Sequence, residues 1–429
     1  MIDLFEYQKN AIKAWINNNY IGIFEMATGT GKTYTALGCL EEIIKTKQNI
    51  ICVISVPYKH LCSQWARSTN TYDNRWNIFI ANSSISNWKN NLNNLLTTLT
   101  DNQKFLPIIL TTHDTLMSED FNKIIENKIN THTYMLIADE MHGLGSEQRR
   151  KSLTETFKYR LGLSATPSRW YDEEGTDVLY TFFDKEVFNF DLSKALSTEN
   201  PLTQETFLCP YYYKPSFVSL NEEELELYIA LTLKIVFYLN KQTDKKVINK
   251  DDLEKLLIKR ANIIKNANNK IPELFKILDS LKKLDHAIIY CSPEQIDIVG
   301  NILYQLKIKC NRFTMRESTV PSKKYNGLSE RDLILKRFAD GEYNILIAMK
   351  CLDEGVDVPS ASTGILLSSC GNPREYIQRI GRLIRRYQGK KNANIYDIIV
   401  KPNIYFYPKE IRSYETRIFL KELTSITFP

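Results

Sequence analysis

Five short apolar runs rich in β-branched residues punctuate the first half of the chain: Tyr20 to Met26, Asn49 to Val56, Phe105 to Thr112, Thr133 to Ala138 and Tyr159 to Leu163. Each has the length of a strand, and each is followed by enough residues for a crossover helix. Near-continuous apolar strands alternating with helices predict a parallel sheet covered on both faces. The pattern restarts with Ala287 to Cys291, Ile308 to Phe313, Asn344 to Met349, Gly364 to Leu367 and Ala393 to Val400. At 429 residues the chain exceeds the size of one compact core. The expected class is therefore α/β, built as two parallel-sheet lobes.

Between the two series, Asn221 to Leu284 carries apolar residues at helical spacing with Glu and Lys between them. This segment reads equally well as an arm between the lobes or as the first helices of the second lobe. The expected division is residues 1–200 for lobe one, 201–284 for a linker and helical segment, and 285–429 for lobe two with a short tail. The stretch from Asn82 to Asn102, rich in Asn, Ser and Thr, reads as an exposed excursion.

Composition excludes several classes. No run of about 18 apolar residues is present to span a membrane, and the N-terminus lacks the basic-then-apolar order of a signal peptide. A cytoplasmic protein with no membrane association is expected. The eight cysteines lie mostly inside apolar runs, with no Cys-x-x-Cys pair, and read as free buried thiols rather than as a zinc site. A net charge of +6 permits a polyanionic partner without requiring one.

The sharpest local signal is Ala27-Thr28-Gly29-Thr30-Gly31-Lys32-Thr33, between an expected strand and an expected helix from Tyr34 to Thr46. Glycines let backbone N–H groups turn inward around phosphate, and the helix N-terminus adds positive potential. Lys32 can reach the β- and γ-phosphates, and Thr33 can ligate Mg2+. Thr28, Gly29, Thr30 and Gly31 form the cradle. The general pattern places a glycine where this chain has Met26, so this is a variant loop. Second, the run ending at Ala138 leads directly into Asp139-Glu140-Met141-His142. Carboxylates at the C-terminal end of a parallel strand face the crevice where open α/β sheets bind ligands. Asp139 would hold Mg2+ and Glu140 would orient or deprotonate the attacking water, although an Asp-Glu pair after a strand also serves as a helix cap.

With these residues in order the chain resembles a superfamily 2 DExH-type helicase or translocase core along nearly its whole length. The resemblance implies two RecA-like lobes and an ATPase that uses ATP and Mg2+. It likens Gln8 to an adenine-reading glutamine, and Ser164 and Thr166 of Ser164-Ala165-Thr166 to the motif that couples the nucleotide site to nucleic acid. Pro57, Thr111 and Thr112 resemble strand-contacting positions, within Val56-Pro57 through Gln64-Trp65 and Thr111-Thr112-His113-Asp114. In the second lobe, Gly355 and Asp357 of Asp353-Glu354-Gly355-Val356-Asp357 resemble nucleotide-contacting positions of a further motif. Met349-Lys350-Cys351 departs from the threonine that many relatives carry there. Gln378-Arg379-Ile380-Gly381-Arg382-Leu383-Ile384-Arg385 resembles the arginine-finger motif. Gln378, Arg382 and Arg385, at i, i+4 and i+7, are expected on one helix face that stabilises charge on the transferred phosphoryl group. Arg379, Arg386, Lys390 and Lys391 read as a patch for backbone phosphates.

The wording of Ala165-Thr166-Pro167-Ser168-Arg169 and Asn372-Pro373-Arg374 is similar to the XPB-like and type I restriction-motor branch. That branch implies double-stranded DNA as the track. It also implies a protein partner supplying targeting or nuclease function in a repair, restriction or antiviral assembly. The same residues would serve a nucleotide-gated clamp or partner-remodelling ATPase that separates no strands.

Overall fold

The structure is a computed structural model. It describes residues 2–47, 49–99, 107–169, 172–243, 250–281, 284–320, 322–349, 358, 360–368 and 373–401. The chain divides into two units, Met1–Leu208 and Cys209–Pro429.

In the first unit β1 (Ile21–Met26), β2 (Ile50–Val56), β3 (Asn77–Ala81), β4 (Pro107–Thr112), β5 (Thr133–Asp139), β6 (Phe157–Ser164) and β7 (Glu186–Phe190) form one sheet. Its order is β3-β4-β2-β5-β6-β1-β7, and every pairing is parallel. Helix α1 (Glu6–Asn17) precedes β1, and the crossovers carry α2 (Lys32–Thr46), α3 (Lys59–Tyr72) and α4 (Trp88–Thr98). Then come α5 (His113–Leu116), α6 (Glu119–Glu126), α7 (Glu173–Phe183) and α8 (Leu192–Ser197). A short antiparallel pair, β8 (Glu199–Asn200) and β9 (Glu205–Thr206), follows. All of β2 is buried, as a central strand covered on both faces requires. Each fully buried Leu, Ile or Phe contributes about 1.5–3 kcal/mol.

The expected excursion after Asn82 instead contains α4. Its Trp88, Leu92 and Leu96 enter the core with Val53, Ile109 and Phe121. Spacing of four residues puts these side chains on one face, so the asparagines line only its outer side.

In the second unit β10 (Tyr211–Val218) precedes α9 (Glu222–Thr243), α10 (Lys250–Lys265) and α11 (Lys270–Ser280). There follow β11 (Ala287–Tyr290), α12 (Ile296–Gln305), β12 (Cys310–Phe313), α13 (Glu330–Ala339), β13 (Ile345–Ala348), β14 (Thr363–Leu366), α14 (Pro373–Leu383) and β15 (Ala393–Val400). The sheet order is β10-β15-β14-β11-β13-β12, again with parallel pairings throughout. The segment from 221 to 284 builds onto this unit. Tyr228 of α9 packs with Leu220, Ala267 and Val400. Leu274, Ile277 and Leu278 of α11 enter the core beside Ile289, Ile347 and Ile365.

Two members of the expected basic patch are structural. Lys390 is buried, and its ammonium donates to the carbonyls of Ala361 (2.5 Å), Arg385 (2.9 Å) and Leu383. It closes the C-terminal end of α14, where orphan carbonyls and the helix dipole favour a cation. Arg379, also buried, donates to the Ser368 carbonyl at 2.6 Å and lies 5.0 Å from the Tyr290 ring centroid. Among the described residues no helix is long and apolar enough to cross a membrane.

Replacing Lys390 with Met would leave buried carbonyls unsatisfied and should destabilise the second unit by about 1–3 kcal/mol. Urea unfolding followed by circular dichroism would show it as a lowered midpoint for one transition.

Candidate nucleotide site

Because the strands of the first sheet are parallel, their C-terminal ends share one rim. Along it the order is β4, β2, β5, β6, β1. The glycine loop leaves β1, and the acidic pair ends β5, separated by β6 and its Ser164. The order in space thus differs from the order in the chain.

Gly29 and Gly31 have φ of 86° and 80°, the left-handed region open to glycine at little cost. Gly31 directly precedes α2, and a Cβ there would lie 2.7 Å from Gln8 Nε2. The loop is tied down from α1. Gln8 Nε2 donates to the Gly31 carbonyl (3.2 Å) and to Thr35 Oγ1 (3.0 Å), while Gln8 Oε1 accepts from the Phe5 amide at 2.9 Å. Tyr7 donates its hydroxyl to the Thr30 carbonyl, and its ring stacks on Phe190 at 4.1 Å. The side-chain amide expected to read the base therefore holds the loop, with both N–H hydrogens engaged.

Asp139 is the last residue of β5. Its Oδ1 accepts from the Glu140 amide (3.1 Å), and its Oδ2 accepts from the Trp65 indole N–H (2.9 Å). Burial, and then the neighbouring Glu140 charge, push its carboxyl upward, while Lys32 and the Trp65 hydrogen bond oppose them. Glu140 has φ 48° and ψ 49°, a left-handed conformation uncommon for a residue with a side chain. That turn places its Oε1 3.5 Å from Lys32 Nζ, so the loop lysine and the acidic pair meet across the rim. His142 Nδ1 lies 3.2 Å from Ser164 Oγ and 3.5 Å from Glu140 Oε2, and Ser164 Oγ accepts from the Thr166 amide at 3.1 Å.

Among the described residues, three of the buried oxygens without a hydrogen-bond partner belong to these segments: Thr28 Oγ1, Thr166 Oγ1 and Glu140 Oε2. Buried polar atoms are otherwise nearly always satisfied. With a glycine cradle, a lysine and two carboxylates beside them, these donors and acceptors fit a phosphate chain with a hydrated divalent cation. Thr33, at the start of α2, is partly exposed.

Farther along the rim, Pro57 is partly exposed, but the two threonines are committed internally. Thr111 Oγ1 donates to the Ala81 carbonyl (2.8 Å), and Thr112 Oγ1 accepts from the Thr115 amide (3.2 Å) as the cap of α5. His113, fully buried, bonds Ser55 Oγ at 2.7 Å, and burial reinforced by the Arg149 charge pushes its pKa down to about 3, so the ring is neutral. Trp65, read with the strand-contacting residues, is buried and reaches the acidic pair instead. The sequence offered no signal for that contact, since 74 residues separate its partners.

In the second unit, Gln378 and Arg382 lie on α14 and are buried. Arg385 does not share their helix. The helix ends at Leu383, and the next carbonyl, of Ile384, accepts from the Cys209 amide at 2.7 Å, which draws the chain out of helical geometry. Gly355 and Asp357 lie outside the described residues.

One further group borders the loop. Glu25, next to Met26 on β1, faces Glu186, and its Oε2 accepts from Asn189 Nδ2 at 2.8 Å. Burial, then repulsion from Glu186, raise its pKa from 4.5 to about 7. A carboxyl with a raised folded pKa binds a proton more tightly folded than unfolded. Its contribution is complete below pH 4.5 and is lost as pH rises through about 7. Glu25→Gln should accordingly flatten the decline in thermal stability across that window, read as melting temperature against pH in both proteins.

The chain matches two family profiles. Residues 1–169 match "Type III restriction enzyme, res subunit", and residues 269–387 match "Helicase conserved C-terminal domain". It is 28% identical over 418 residues to the DNA 3'-5' translocase XPB2 of Sulfurisphaera tokodaii, covering 93% of this chain and 82% of that one. It is 22% identical over 411 residues to putative helicase 22 of a Sulfolobus islandicus filamentous virus, covering 94% of this chain but 65% of the relative. Among solved structures, the ATP-dependent Type ISP restriction-modification enzyme LlaBIII bound to DNA superposes with a TM-score of 0.64 at 17% identity, over 99% of this chain and 30% of that one. The Hef helicase domain of Pyrococcus furiosus gives 0.50 at 16% identity, over 96% and 97%. The glycine loop and acidic pair on one parallel sheet, the second parallel sheet and these matches agree: the chain carries a superfamily 2 helicase or translocase core.

Proposed function

We propose that this chain is an ATP-driven translocase on double-stranded DNA, with Mg2+ as the metal. The observation that carries the reading is the meeting of Lys32 with Glu140 between the glycine loop and the end of β5, at a rim that continues into the β2 and β4 ends. Bound Mg2+ would neutralise charge on the β- and γ-phosphates. Thr28, Gly29, Thr30 and Gly31 would cradle the phosphates, Lys32 would exchange Glu140 for the β/γ-oxygens, and Thr33 and Asp139 would hold the metal. Glu140, released by the lysine, orients the attacking water and takes its proton. The resemblance assigns Arg382 and Arg385 as the positive charges that act on the transferred phosphoryl group, Gln378 as a neutral hydrogen-bonding partner beside them, and Gly355 and Asp357 as nucleotide-contacting residues. Ser164 and Thr166 couple this chemistry to the strand.

DNA is favoured because one relative is a DNA translocase and the LlaBIII structure contains DNA. With the hydroxyls of Thr111 and Thr112 engaged internally, the grip near Pro57 falls to backbone amides and the exposed Tyr58. Such contacts position a backbone and do not read sequence. The likeness to a restriction enzyme, 30% of which this chain spans, favours work alongside a protein partner supplying targeting or nuclease function, in the cytoplasm.

Steady-state ATP hydrolysis should be stimulated by duplex DNA above single-stranded DNA, RNA or no polymer. Glu140→Gln should lower the stimulated rate by roughly 10²–10⁴-fold, and Arg382→Ala by on the order of 10³-fold. Hydrolysis indifferent to every polymer would overturn the reading.

A further inference from the structure

The hydrogen bond between Trp65 and Asp139 joins two segments that the function above treats separately. Trp65 lies on α3, whose buried face is Leu61, Cys62, Trp65, Thr69 and Tyr72. That helix begins just after Pro57 and Tyr58, at the end of β2. An indole carries one donor and no acceptor, and here the donor meets Asp139 Oδ2 at 2.9 Å. The other carboxylate oxygen is held by the Glu140 amide at 3.1 Å. With one bond on each oxygen the carboxylate plane is fixed, whereas one bond alone would leave it free to turn about its terminal torsion.

We propose that Trp65 is the positioning residue for the metal-holding carboxylate: its indole N–H sets the plane of Asp139 so that the remaining lone pairs face the cation or its water shell. This rests on the functional reading above, which makes Asp139 a holder of Mg2+. Hydrogen bonds that orient a metal-holding group typically change metal affinity by about 10–100-fold when removed. Trp65 contacts neither nucleotide nor metal in this role, so its loss should leave metal-free nucleotide binding intact.

The test is binding of a fluorescent ATP analogue to the full chain, titrated in EDTA and in Mg2+. Two variants remove the N–H: Trp65→Phe, and benzothienylalanine at position 65, which keeps the shape of the indole and replaces N–H by sulfur. The expected result is unchanged affinity in EDTA with the Mg2+-dependent gain in affinity reduced about 10-fold or more in both. A full Mg2+-dependent gain in the benzothienyl protein overturns the assignment of Trp65 and leaves the functional reading standing. A general loss of affinity, in EDTA as in Mg2+, also overturns it by making Trp65 a packing residue. Wild-type protein that gains nothing from Mg2+ overturns the functional reading and this inference together.

Discussion

Every strand of the first sheet runs parallel to its neighbours, and the chemistry of the unit depends on that single constraint. Parallel pairing sends all C-terminal strand ends to one rim, and crossover helices on both faces let strands distant in sequence become neighbours. Inserting β6 between β5 and β1 brings Ser164 between the acidic pair and the glycine loop. A change in pairing order would scatter the same residues around the sheet without altering one local motif.

Polar groups at this rim are spent with economy. Gln8, Thr111, Thr112 and His113 hold backbone or neighbouring side chains in place, while Thr28, Thr166 and one oxygen of Glu140 are left to be met. Groups of the first kind stiffen the scaffold, and groups of the second kind give it something to bind. Sequence resemblance alone ranks both kinds together, because a conserved-looking hydroxyl reads the same whichever way it points.

The parallel sheets and the two chemical segments of the first unit were legible from apolar runs and from local composition. β3 was not, since Asn77 to Phe79 and Ile80 lie at a half-exposed edge where the run is short and begins with a polar residue. The asparagines of α4 mask Trp88, Leu92 and Leu96, whose spacing marks a helical face. Lys390 and Arg379 read as part of a phosphate-binding patch because nothing local reveals that a helix end or an aromatic ring will lie beside them. Arg385 fell off its expected helix for a similar reason: the bond from Cys209 that interrupts α14 comes from 175 residues earlier in the chain. Local chemistry can be read along a sequence, while termination and burial depend on partners from elsewhere.

The left-handed backbone at Glu140 sets two kinds of selection against each other. Glycine is the residue best suited to that conformation, yet glycine there would remove the carboxylate. A lineage that kept this fold but no longer needed the reaction would face pressure toward glycine or asparagine at position 140, and its Lys32 would lose its partner. A relative retaining glutamate in that conformation is therefore keeping a strained residue for its chemistry, so the identity of one backbone-constrained position can separate working motors from folds retained as scaffolds.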